Sequence, residues 1–284
     1  MSLSVKDISE TETDVYFEGN EKSTSSRAIP VCVTKSRASS ESKAVLLTHG
    51  AGGDMNMPHL TAVAKAVANA GFLCVRFTCK PPAMQHRLKA YRTVLNWTRS
   101  CYPQLKYVIV AGRSMGARVA AALACEPDMS DFISGCIFLS YPLYCPSKPL
   151  ALRKEHLLPL AVPSLFLSGD SDEMCDKKVL TEVAAKMATQ PAIYWVAGAN
   201  HGMSVKGRKR IDIEEEMCGC VVKWVTKEFR RLSKRSVEES RDSVGAAPSV
   251  ENSPIKLAFE RARKCKKHPR QKSSEEASKK HRNT

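Results

Sequence analysis

Apolar positions along the chain switch between two periods. Short, β-branched-rich runs at 44–48, 72–77, 108–111, 135–140, 162–168 and 193–196 read as buried strands. Between them the spacing lengthens to three and four. Leu60, Val63, Ala64 and Val67 share one face of a helix predicted over 57–71, with Gly71 at its C-terminal end. Leu88, Tyr91, Val94, Leu95 and Thr98 do the same over 85–101. Further helices are predicted over 117–124, 180–187 and 211–231. Short strands at 13–19 and 31–34 make an opening hairpin, with Pro30 tolerated at a strand start. Strands alternating with helices of this length imply an α/β fold: a mostly parallel, doubly wound sheet with helices on both faces.

One strand-to-helix junction carries chemistry. Val108 to Ala111 runs into Gly112-Arg113-Ser114-Met115-Gly116, and a small-residue helix follows. A Gly-x-Ser-x-Gly turn in that context is a nucleophile elbow. The serine must stand on a sharp, strained turn, and only glycine leaves room beside it for the neighbouring strand and helix. Serine is a weak nucleophile without an adjacent base, so an acid and a histidine should follow in that order. Asp172 lies just past the 162–168 strand, with Asp170 and Glu173 as neighbouring carboxylates; His201 lies just past the 193–196 strand. Ser114, Asp172 and His201 are the expected catalytic residues.

The strand at 44–48 ends in His49-Gly50-Ala51-Gly52-Gly53, a loop whose backbone can approach a substrate oxygen closely. The backbone N–H groups of Ala51 and Met115 are the expected oxyanion donors, with Gly50 and His49 shaping the pocket. Asp54 reads as a loop cap and Cys175 as a packed thiol. Arg113 and Arg118 are candidates for anion binding, although Arg113 reads more naturally as a structural partner to carboxylates. The cationic stretch 205–210 reads as a solvated helix start.

Charge and cysteine usage narrow the class. The 284 residues carry a net +15, and residues 233–284 hold +7 of it, with 14 Lys and Arg against 7 Asp and Glu. That region is poor in apolar side chains and is expected to be disordered, with a possible short basic helix over 255–267. Its cluster Arg261-Ala262-Arg263-Lys264-Cys265-Lys266-Lys267 could meet a protein partner or nucleic acid, although a solvated tail is the simpler reading. The expected organisation is an N-terminal segment with opening strands (1–43), a hydrolase core (44–232) and a basic tail (233–284). The insertion over 141–161 is too short for a cap domain. Eleven cysteines without a Cys-x-x-Cys pair fit free thiols in a reducing compartment and no zinc site. No apolar run is long enough to span a membrane, and the polar start lacks a signal-peptide pattern. The protein is therefore expected in cytoplasm or nucleus, not secreted, and without cofactor or metal.

These segments together resemble an α/β-hydrolase over about 44–231. More narrowly, the runs Leu47-Thr48-His49-Gly50-Ala51-Gly52-Gly53-Asp54-Met55-Asn56, Val75-Arg76-Phe77-Thr78-Cys79-Lys80 and Gly112-Arg113-Ser114-Met115-Gly116 are similar to the testis-expressed protein thirty group. So are Asp172-Glu173-Met174-Cys175 and the run 199–208. The resemblance extends to the hydrolase-like domain of a non-specific-lethal chromatin complex subunit and to dienelactone-type hydrolases. It implies that Ser114, Asp172 and His201 occupy the group's serine, aspartate and histidine positions, and it names no substrate. The expected activity is hydrolysis of a small acyl ester or thioester. The alternative is a silent hydrolase fold used as an interaction module of the chromatin-associated kind.

Overall fold

The computed structural model describes residues 7–17, 28–80, 83–129, 131–145 and 151–245. The chain opens with β1 (Ile8–Val15), β2 (Ile29–Ser36) and β3 (Ser40–Thr48), then α1 (Pro58–Asn69), β4 (Phe72–Phe77) and α2 (Met84–Cys101). It continues with β5 (Tyr107–Arg113), α3 (Met115–Ala124), β6 (Ile133–Leu139) and β7 (Ser164–Gly169), and closes with α4 (Lys177–Ala184), β8 (Ala192–Val196) and α5 (Arg210–Gly245).

All eight strands join one sheet in the order β1-β2-β4-β3-β5-β6-β7-β8. β1 pairs antiparallel with β2, and β2 antiparallel with β4; every other pairing is parallel. The opening strands therefore extend the same sheet. The order reverses around β3, whose neighbours are β4 on one side and β5 on the other. That reversal opens a crevice at the carboxyl ends of β3 and β5, where doubly wound sheets bind ligands.

Strand alternation sends successive side chains to opposite faces. On β5, Val108 and Val110 join the core formed with Tyr91, Val94 and Leu95 of α2, Val119 and Leu123 of α3, and Leu180 of α4. Ile109 and Ala111 join the opposite core, with Leu60, Val63 and Val67 of α1 and Met217, Val221, Val225 and Phe229 of α5. β5 is thus buried on both faces, as its unbroken apolar run requires. Gly71 adopts φ +91° just past α1, a left-handed value suited to glycine.

One boundary differs clearly from the sequence reading. The last helix does not stop near Arg231; α5 continues to Gly245, so residues 233–245 are helical rather than disordered. No proline or glycine interrupts 232–244, so a helix docked by its apolar face upstream propagates onward. The chain divides into units 1–235 and 236–284, and of the second only the end of α5 is described. The basic cluster at 261–267 lies outside the described residues. Cys32, Cys74, Cys79, Cys101, Cys125, Cys136, Cys175, Cys218 and Cys220 are in no disulfide. Cys74 and Cys136 are fully buried in strands, whereas Cys125 is half-buried at the end of α3. No described helix is long and apolar enough to cross a membrane.

Candidate active site

Ser114 sits between β5 and α3 at φ 51° and ψ −115°, a conformation strained for a residue with a Cβ. The two flanking glycines explain how the chain holds it. A Cβ on Gly112 would fall 2.2 Å from the backbone carbon of Gly116, and one on Gly116 would fall 2.7 Å from the His49 carbonyl oxygen. Strand, helix and the loop after β3 are therefore in backbone contact around the serine.

The Ser114 hydroxyl lies 2.9 Å from His201 Nε2. On the far side of the ring, Nδ1 lies 3.0 and 2.9 Å from the two carboxylate oxygens of Asp172. The Asp172 side chain is fully buried, and its Oδ1 also accepts the Met174 N–H at 2.8 Å. A carboxylate facing Nδ1 favours the tautomer whose Nε2 accepts from the hydroxyl. The two neighbouring acids are engaged elsewhere. Asp170 accepts the Gly198 N–H at 2.6 Å, and Glu173 accepts the His201 backbone N–H at 3.4 Å. The histidine loop is also clasped by β7, since a Cβ on Gly169 would fall 2.0 Å from the Ala199 carbonyl oxygen.

The loop after β3 is pinned from below. His49 is buried; its Nδ1 donates to its neighbour Gly50's carbonyl at 2.6 Å, and its Nε2 accepts the Cys79 N–H at 2.9 Å. That bonding leaves a neutral ring, and burial, with Arg87 adding to it, depresses its pKa to about 4. His49 thus shapes the loop. Asp54 caps a turn by accepting the Asn56 N–H at 2.8 Å. Arg76 of β4 donates to the Met55 carbonyl at 2.9 Å, and Thr78 Oγ1 accepts the Met55 N–H at 3.0 Å. The run Val75 to Cys79 and the run Leu47 to Asn56 are therefore one bonded unit.

The sequence reading missed Arg87. This arginine of α2 is 2% exposed and donates to three successive loop carbonyls: His49 at 3.1 Å, Gly50 at 3.2 Å and Ala51 at 3.4 Å. A trans peptide points its C=O and N–H in opposite directions. With the Gly50 carbonyl held by Arg87, the Ala51 N–H is turned away from Arg87. The available signal was positional: Arg87 continues the buried stripe Ala90, Tyr91, Val94, Leu95 one turn earlier.

Arg113 also departs from its expected role. Its Nη2 donates to the His201 carbonyl at 2.9 Å, tying the elbow to the histidine loop, rather than pairing with a carboxylate. Burial lowers its pKa, and the nearby Asp172 charge opposes that shift. Cys175 is buried, and its thiol is pushed up to about 12 chiefly by burial, with the Asp172 charge assisting, so it is a packed residue rather than a reactive one. Among the described residues no three His, Cys, Asp or Glu side chains gather as a metal site would need.

A Ser–His–carboxylate chain on an elbow, at the carboxyl ends of a doubly wound parallel sheet, defines a class of fold and site. The chain matches the Alpha/beta hydrolase domain family over residues 41–227 and belongs to that family. Solved structures share the fold. An a/b serine hydrolase without lid from Xanthomonas campestris is 19% identical, with 76% of this chain and 94% of that one covered and a TM-score of 0.58. Dienelactone hydrolase from Anabaena variabilis is 15% identical, with 78% and 98% covered and a TM-score of 0.60. Est1E from Butyrivibrio proteoclasticus, with ferulic acid bound, is 13% identical, with 77% and 99% covered and a TM-score of 0.62. As in the lidless neighbour, no cap domain stands over the site among the described residues.

Proposed function

We propose that the protein is a serine hydrolase acting on a carboxylic ester or thioester. Ser114, His201 and Asp172 form its triad, and the backbone N–H groups of Ala51 and Met115 form its oxyanion hole. The observation that carries this reading is the Ser114 Oγ to His201 Nε2 separation of 2.9 Å, with Asp172 closing the far side of the ring. A fold kept only as an interaction module has no need of a strained serine aligned with a buried His–Asp pair.

In the proposed reaction Ser114 Oγ attacks the acyl carbonyl carbon, and its proton passes to His201 Nε2. Asp172 stabilises the imidazolium and fixes the ring. The carbonyl oxygen gains negative charge and is held by two N–H donors, which among the described residues have no protein acceptor of their own. The C–O or C–S bond breaks, and the leaving group takes the proton from His201. Water, deprotonated by the same His201, then attacks the acyl-serine, and the acid and free Ser114 return. The dienelactone hydrolase among the neighbours makes ester chemistry the natural class to test. The narrower kinship with the testis-expressed protein thirty group rests on the motif runs and names no substrate.

Labelling with a fluorophosphonate probe tests the reading. Wild type should label, Ser114→Ala should not, and His201→Ala should label far more slowly. Folded wild type that fails to label would overturn it.

A further inference from the structure

Arg118 is not used by the mechanism above. It lies one turn after Ser114, and its backbone N–H donates to the Ser114 carbonyl at 3.3 Å. Helical side chains lean back toward the N-terminus. The Arg118 guanidinium does so, with Nη1 3.5 Å from Met115 Sδ, on the residue whose N–H is the proposed oxyanion donor.

Its surroundings are poorly matched to its charge. The side chain is only 19% exposed, yet among the described residues its nearest carboxylate oxygen is Glu155 Oε1 at 4.0 Å. Glu155 is half exposed and is shared with His156 at 3.7 Å. Arg118 Nε is buried and has no hydrogen-bond partner among the described residues. A second cation, Arg153, lies close enough to disfavour the charge on Arg118 further, after burial itself. Arg153 is anchored beside the site: its N–H donates to the Leu143 carbonyl at 2.9 Å and its carbonyl accepts the Tyr141 hydroxyl at 3.0 Å. Tyr141 and Leu143 follow directly on β6, whose last residue, Leu139, accepts the Ser114 N–H at 2.9 Å. Arg118 thus lies one turn from the nucleophile, mostly buried, with one distant and exposed carboxylate beside it among the described residues.

We propose that Arg118 forms an anion subsite, with the charge of Arg153 adding to it, and that the substrate is an acyl ester or thioester bearing a second, carboxylate group. The partly buried Arg118 guanidinium would take that carboxylate through its planar fork, which Glu155 approaches too distantly to fill. This rests on Ser114 being the nucleophile.

Two probes separate the subsite from that reading. The first is the ratio of kcat/KM for p-nitrophenyl hydrogen adipate to that for p-nitrophenyl hexanoate. Wild type should favour the anionic ester. Arg118→Gln should lower the ratio about tenfold or more, because a charge-assisted hydrogen bond is lost; Arg153→Gln should lower it less, and Glu155→Gln should raise it by removing a competing negative charge. The second is calorimetric binding of monomethyl adipate to Ser114→Ala protein, which needs no chemistry. It should weaken about tenfold or more when Arg118→Gln is added. Equal losses on both esters in the arginine variants, or equal adipate binding with and without Arg118→Gln, would overturn the subsite. Fluorophosphonate labelling of the same preparations reports on the nucleophile alone. Glu155→Gln alters an exposed side chain, so an unchanged ratio there counts against the proposal even if Arg118→Gln fails to fold.

Discussion

Arg87→Leu isolates the contribution of the oxyanion loop. The substitution keeps an apolar stem on α2 and removes the donors to the His49, Gly50 and Ala51 carbonyls. Each lost charge-assisted bond is worth about 1.5–3 kcal/mol, and a carbonyl left buried without a partner costs about 1–3 kcal/mol. The sum is an upper bound. Ala51 is exposed and its carbonyl can turn to water, and removing Arg87 also removes the cost of burying a charge, which lowers its own pKa. A net loss of about 3–5 kcal/mol is expected, enough to lower a thermal midpoint but not to abolish folding of a stable domain. The effect on activity is separate. Without Arg87 the Gly50 carbonyl keeps only the His49 Nδ1 bond, so the Gly50–Ala51 peptide plane is held less firmly, and losing one oxyanion donor lowers turnover about 10²–10³-fold. The assay is kcat and KM on p-nitrophenyl acetate beside thermal unfolding. The signature is a fall in kcat with KM little changed and fluorophosphonate labelling slowed but retained. Arg87→Lys should be intermediate, since an ammonium cannot span three carbonyls. A folded Arg87→Leu protein with kcat within a few-fold of wild type would refute the reasoning.

Arg113→Gln removes the bond to the His201 carbonyl and should lower kcat roughly 10–100-fold by loosening the histidine, while thermal stability falls little; unchanged kcat would refute that role. Gly112→Ala should destabilise by more than about 3 kcal/mol, because its Cβ would fall 2.2 Å from Gly116. The contrasting Gly219→Ala, in an open position of α5, should stabilise by about 0.5–1 kcal/mol; urea titration measures both. His49, buried, and His59, half-buried, have pKa values of about 4, each lowered chiefly by loss of water around the ring and further by neighbouring arginines. The unfolded chain binds protons to both near 6.5, so stability should hold above pH 6.5, fall as pH drops toward 4 and level off below it. Urea midpoints across that range should show a shallower slope in His59→Phe, and a slope equal to wild type would sink the assignment.

The chain order of Ser114, Asp172 and His201 and their places just past three strands were legible because each lies at a switch from a short apolar run to a polar or glycine-rich turn. Gly112 and Gly116 were legible for the same local reason: a sharp turn excludes a Cβ, whatever surrounds it. Strand period and helix period likewise set the layered α/β class and most element centres, since both follow from which side chains share a face. Element ends were less legible; α5 runs on to Gly245 because a docked helix propagates through residues that would not fold by themselves.

What tertiary structure alone decided is how residues distant in sequence divide the work around the serine. Asp170, Asp172 and Glu173 are near-equivalent in sequence, and only the position of the histidine loop selects Asp172 for the ring. Arg87, Arg113 and Arg118 look alike as surface charges on helix or turn. Their different tasks come from what folding places opposite them: a row of carbonyls, the carbonyl of His201, or a carboxylate too far away to satisfy the charge. Local periodicity determines which face a side chain occupies. The partner on the other side belongs to a segment tens of residues away, and burial makes that partner decide what the side chain does.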